Sequence, residues 1–179
     1  MRLPELLASA AKENQLRYLL IGGHAVIAHG YARTTFDVHL MIPRDQLPEW
    51  TRFVEGLGYQ IDRQETAFVQ FKPPPDGENL DLMLVSEPTF RGMWESALIQ
   101  GIGGTEVRIP SLDHLLALKL HVLKQDLGHR VIKDLDDVIR LVLRNRIDLT
   151  SEHYRLLFEK YGTKEIRERV VNAVSGTQS

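Results

Sequence analysis

The sequence predicts an α+β protein: a mixed β-sheet backed by helices, then a helical C-terminal part. Three observations predict it. Short apolar runs of strand length, bounded by glycine and proline, crowd the first two thirds of the chain, whereas the last third, from Ser111, has helical spacing throughout. The runs 37–42 and 79–85 repeat one pattern, with an acid on one strand face and an unbroken apolar stripe on the other. At 179 residues with an ordinary globular composition, the chain is long enough to bury a substantial core. The expected division is an α/β core over residues 1–110 and a helical part over 111–179 packed on it, joined near Pro110.

Taken in order, Pro4 to Asn14 places Leu6, Leu7, Ala10 and Ala11 at helical spacing, with proline tolerated in the first turn. Arg17 to Ile21 is a short strand closed by Gly22-Gly23, and His24 to His29 is about two helical turns stopped by Gly30. The second strand carries Asp37 and His39 on one face and Val38, Leu40 and Ile42 on the other. Asp45 to Gly56 reads as a helix with Leu47, Trp50, Phe53, Val54 and Leu57 inward. Tyr59–Arg63 and Thr66–Lys72 read as paired strands, and Pro73-Pro-Pro-Asp-Gly77 as an exposed turn. Asn79 to Val85 is a strand with Leu80, Leu82 and Leu84 on one face and Asp81 on the other.

Pro88 to Ile99 is expected to be helical, and Thr105 to Ile109 a last strand after the Gly101-Ile-Gly-Gly104 turn. Ser111 caps a buried leucine-rich helix ended by Gly128, a second helix covers Ile132 to Arg144, and Ser151 and Thr163 cap two shorter ones. The polar end from Ser175 is expected to fray. Trp50 and Trp94 read as packing anchors, and Arg130, Lys133, Asp134, Asp136 and Asp137 as a solvated helix with helical-spacing ion pairs.

A formal charge of −2 gives no global pull towards nucleic acid, so any such contact would need a local basic patch. The chain has no cysteine, which excludes disulfides and thiolate metal sites and fits a reducing cytosol. Its first residues lack a signal-peptide core, and no apolar run approaches membrane-spanning length, so a soluble, cytoplasmic protein is expected.

An acid inside an apolar strand is costly to bury without a function. If their strands are neighbours, Asp37, His39 and Asp81 share one sheet face, the kind of cluster that holds a hard divalent cation in phosphoryl or nucleotidyl transfer. Lys119 is a further odd residue on an otherwise apolar helix, although a lysine there can also snorkel to water.

These residues carry a resemblance. Gly22-Gly23, thirteen residues and then Asp37-x-His39, preceded by Arg33-Thr34-Thr35 and followed by Asp81 on a later strand, resembles the nucleotidyltransferase superfamily of the DNA-polymerase-β type. The chain looks most like its minimal bacterial members related to abortive-infection toxins, with Leu115 to Leu120 and Lys133 to Asp137 similar to their helical region. The resemblance covers roughly residues 15 to 145. It implies that Gly22 and Gly23 form a triphosphate-binding turn, that Asp37 and Asp81 bind metal, and that Asp81 serves as base for an acceptor hydroxyl. Lys119 would reach a phosphate, Arg33 and Thr35 would line the same pocket, and Asp134 and Asp137 would anchor the helical part or contact Lys119 and the nucleotide.

The implied activity is transfer of a nucleoside monophosphate from an NTP, with Mg²⁺ or Mn²⁺, to a hydroxyl of RNA, protein or a small molecule. The departure is at residue 39, where the active pattern has a second acid. An imidazole offers one nitrogen and no negative charge, and suits manganese, zinc or cobalt better than magnesium. The alternative is therefore a degenerate member that keeps the pocket as a nucleotide-binding or regulatory module, in a toxin–antitoxin-like or defence setting.

Overall fold

Alternation of apolar and polar residues makes the central strands one-sided, and the structure, a computed structural model, uses that alternation to build a mixed sheet. Residues 3–102, 104–125 and 131–177 are described. The chain forms two compact units, one of Met1–Ala25 with Arg33–Ser111 and the other of Val26–Ala32 with Leu112–Ser179.

The first unit holds a five-stranded sheet of β1 (Leu19–Ile21), β2 (Asp37–Pro43), β3 (Gln60–Gln64), β4 (Phe68–Lys72) and β5 (Asn79–Val85), in the spatial order β1-β2-β5-β4-β3. β2 and β5 run parallel, while the β1/β2, β4/β5 and β3/β4 pairs are antiparallel. Over β1, β2, β5 and β4 one face is apolar and buried, with Leu20, Val38, Leu40, Ile42, Leu80, Leu82 and Val69 having no exposed surface, whereas the edge strand β3 is exposed. The apolar side chains excluded from water on that face are the main source of the sheet's stability. The opposite face carries Asp37, His39, Asp81 and Gln70, each partly exposed.

Helix α1 (Leu3–Glu13) packs on this unit, its first amide bonded to Glu78. The backbone N–H of Arg17 donates to the side chain of Gln46 and its carbonyl accepts from Trp50, so the ladder of β1 starts only at Leu19. The helix expected from Asp45 starts as a 3-10 turn, Arg44–Gln46, and becomes α3 at Leu47–Gly56, with Trp50 and Val54 buried and Leu47, Phe53 and Leu57 only partly so. α4 (Glu87–Glu95) is capped by Ser86.

The structure corrects the stretch after α4. The helix expected through Ile99 ends at Glu95, and Leu98–Ile102 is instead strand β6, paired antiparallel with β7 (Thr105–Ile109) in a separate two-stranded sheet. Gly104, at φ +84, supplies the left-handed residue that the connecting turn requires, and a strand as short as β7 needs an adjacent partner for its backbone groups. Gly103 lies outside the described residues. Trp94 stacks on Phe90, with the Arg108 guanidinium 4.5 Å from the Trp94 ring centroid.

α2 (Gly22–Ala28) begins in the first unit and ends in the second. The second unit is otherwise helical: α5 (Leu112–Lys124), α6 (Val131–Arg144), α7 (Glu152–Tyr161) and α8 (Lys164–Thr177). Ser151 and Thr163 cap α7 and α8 by accepting from Tyr154 and Ile166. α8 continues through Ser175, where fraying was expected. Gly128 and Arg130 lie outside the described residues. Leu116, Leu120, Val138, Leu141 and Phe158 form the core of this unit, and the Tyr31 hydroxyl donates to Asp136 while Asn145 donates to the carbonyl of His29. Among the described residues no helix is long and apolar enough to cross a membrane.

Candidate active site

The parallel pairing of β2 with β5 decides which polar residues meet. Its register sets Asp37 opposite Asn79 and His39 opposite Asp81, and the β4/β5 register sets Gln70 opposite Asp81. Side-chain alternation then turns all five to the same face of the sheet.

Two rows result. In the first, Nε2 of His39 lies 3.4 Å from Oδ2 of Asp81, and Nε2 of Gln70 donates to that same oxygen at 3.4 Å. In the second, Nδ2 of Asn79 donates to Oδ1 of Asp37 at 2.9 Å. His39 and Asp81 keep 28% and 24% of their side-chain surface, enough for a ligand to reach them from solvent.

The glycine pair closes one side of this site. Gly22 adopts φ +64, a conformation available to glycine at no steric cost, and a β-carbon there would lie 2.9 Å from Nδ1 of His39. A β-carbon at Gly23 would overlap the hydroxyl of Thr35 and come within 2.9 Å of Nη2 of Arg33. The two glycines therefore allow the start of α2 to approach His39, Thr35 and Arg33 closely. Thr35 in turn lies 3.5 Å from the carbonyl oxygen of Asp37, and Arg33 donates to the carbonyl of Thr34.

Of the residues expected at the site, the structure thus brings Gly22, Gly23, Arg33, Thr35, Asp37, His39 and Asp81 together in the first unit. Lys119 belongs to the second unit, on α5, where its ammonium is ion-paired with Asp134 at 2.5 Å and Asp137 at 2.7 Å. All three are buried, which explains how a lysine sits on an otherwise apolar helix face. Gln70 and Asn79 do not stand out in the sequence. Their signal was available, since Asn79 lies on the Asp81 face of its strand, but their partners follow from a register that one strand alone does not fix.

Among the described residues, no three side chains of His, Cys, Asp or Glu are gathered tightly enough to hold a metal by themselves. The donor set still fits a hard cation. Magnesium-type ions keep several waters and use one or two carboxylates together with substrate phosphates. Two ligand atoms on one ion, each bonded at about 2.0–2.2 Å, lie about 3 Å apart, close to the 3.4 Å between His39 and Asp81.

No protein-family model matches the sequence, and no curated protein is significantly similar to it. Solved structures are. An antigenic nucleotidyltransferase-like protein from Paracoccidioides brasiliensis superimposes with a TM-score of 0.58 at 17% identity, covering 96% of this chain and 89% of that one. The ANT(2″)-Ia structure in complex with adenylyl-2″-tobramycin gives a TM-score of 0.57 at 19% identity, covering 99% and 97% of the two chains. The lincosamide antibiotic adenylyltransferase LnuA, lincomycin-bound, gives 0.57 at 16% identity over 77% of this chain and 96% of that one. The chain has the nucleotidyltransferase fold, in its α+β form with a five-stranded mixed sheet. At these identities the likeness is one of fold, and roles for individual residues have to come from the geometry above.

Proposed function

We propose that this protein binds a nucleoside triphosphate together with a divalent cation and transfers the nucleoside monophosphate to a hydroxyl of RNA, protein or a small molecule. The observation that carries this reading is the convergence of the glycine pair, Arg33 and Thr35 with His39 and Asp81 on one sheet face, on a nucleotidyltransferase fold.

In this reading the backbone at Gly22 and Gly23 lies against the triphosphate, which needs residues without side chains, and the Arg33 guanidinium offsets its charge. Asp37, His39 and Asp81 hold the cation, Mg²⁺ or, with an imidazole in the set, Mn²⁺. Its chemistry when bound is neutralisation of the charge that builds on the phosphates. Asp81 takes the proton of the acceptor hydroxyl on its carboxylate. The acceptor oxygen then bonds to the α-phosphorus as the bond to the pyrophosphate breaks, and Arg33 with the glycine turn receives the pyrophosphate. The chain contributes positioning and electrostatics, with no covalent intermediate on the protein. Lys119, already paired with two carboxylates, is assigned a structural part in the helical unit.

Incubation with α-labelled nucleoside triphosphates, Mg²⁺ or Mn²⁺ and candidate acceptors tests the proposal. Transfer should fall about 100-fold or more in Asp37→Ala and in Asp81→Ala. Neither nucleotide binding nor transfer, with Asp37→Ala indistinguishable from the unaltered chain, would falsify it.

A second reading is favoured by the identity of residue 39. With a histidine in place of an acid, the pocket could serve as a nucleotide-binding regulatory module of the toxin–antitoxin-like kind without turnover. His39→Asp separates the two: a large gain in Mg²⁺-dependent transfer supports the degenerate reading, whereas a loss supports His39 as a working ligand.

A further inference from the structure

Each acid of the site is held by a neutral amide from the adjacent strand. Asn79 on β5 bonds one oxygen of Asp37 on β2, and Gln70 on β4 bonds one oxygen of Asp81 on β5, so the pairing steps across three neighbouring strands. The donors are amides and not arginines or lysines, so they fix the carboxylates without cancelling their charge. Each amide also addresses a single oxygen: Oδ1 of Asp37, at 2.9 Å, and Oδ2 of Asp81, at 3.4 Å. The second oxygen of each acid keeps its lone pairs for another partner. Carboxylates that bind cations are characteristically held in this way by hydrogen bonds from behind, and removal of such partners costs affinity although they never touch the ion.

We propose that Asn79 and Gln70 are positioning residues of a divalent-cation site. They fix the side-chain rotation of Asp37 and Asp81 so that each acid presents one defined oxygen. Their role rests on the cation-binding reading given above and adds two residues to it. It also distinguishes the two acids. Asn79 is Asp37's amide partner, and its loss leaves that carboxylate free to rotate, whereas Asp81 keeps the contact with His39 when Gln70 is removed. Asn79 is therefore the more sensitive position.

Titration calorimetry with MnCl₂ alone, on the full chain without nucleotide, tests this. In Asn79→Leu, which keeps the size and removes the donor, Mn²⁺ affinity should drop about 10–100-fold, with a smaller drop in Gln70→Leu, while the urea midpoints of both stay at the parent value. Asn79→Gln, which restores an amide, should recover most of the loss, a rescue that a merely structural role would not require. Gln70→Met serves in place of Gln70→Leu if branching disturbs the strand. If Asp37→Asn and Asp81→Asn abolish Mn²⁺ binding but the leucine variants bind within twofold of the parent, the positioning role is wrong and the cation reading stands. If the parent chain binds no Mn²⁺, or binds it equally well as Asp37→Asn, both are overturned.

Discussion

At Gly23 even a methyl group would overlap Thr35 and crowd Arg33, and at Gly22 the backbone itself, at φ +64, excludes most other residues. Gly22→Ala and Gly23→Ala should each lower unfolding free energy by about 1–3 kcal/mol, read from urea denaturation. Lys119 is a residue of a different kind. Its ammonium and two aspartates form a buried triad, and Lys119→Met would strand two carboxylates away from water. The expected cost is about 3–5 kcal/mol. Replacing all three together, as Lys119→Met with Asp134→Leu and Asp137→Leu, should recover most of it, because an apolar core tolerates what a half-paired charge cluster does not. The oddity of this lysine was legible in the sequence, and so was its helical neighbourhood of acids. Contact with Asp134 and Asp137 was one of the alternatives that the resemblance implied; that the ammonium pairs with both of them depends on how α5 meets α6.

Among the elements, strands β5 and β7 stand where alternation put them, and so does the first half of β2, whose second half from Leu40 is buried on both faces. β6 was not legible: Leu98 and Ile99 are exposed, so burial gave the stretch no alternating pattern, and its backbone pairing with β7 decided its conformation. The same limit hid Gln70 and Asn79, whose polar side chains mean little until the register sets them beside acids. On α5, His114 has its pKa lowered, chiefly by burial, against a smaller opposing pull from Asp113. The unfolded chain therefore takes up a proton near pH 6.5 that the folded helix still resists. Stability contributed at neutral pH is lost as the pH falls through the lowered value, and His114→Gln should flatten that part of the stability–pH curve, as followed by chemical denaturation between pH 7 and 5.

For the whole molecule, the two units are not consecutive stretches of sequence. Val26–Ala32 belongs with the C-terminal helices, through contacts such as Tyr31 with Asp136, although it lies between two site segments of the first unit. A fragment ending at Ser111 therefore contains seven residues without their own unit, and it should show a broad, weakly cooperative thermal transition by circular dichroism, where the full chain unfolds sharply. Composition anticipated a helical last third but not this insertion, because the seven residues carry no compositional mark of the unit they join.

The parallel pairing of β2 with β5 also has a consequence in time. Asp37 and His39 leave the ribosome some forty residues before Asp81, and every pairing that unites them is long-range, so loop closure must be completed before any contact compensates for it. During synthesis, the first acid therefore stands on an open strand edge until β5 emerges and slots between β2 and β4. The nascent chain cannot bring Asp37 and His39 beside Asp81 before the last strand of that sheet has been made.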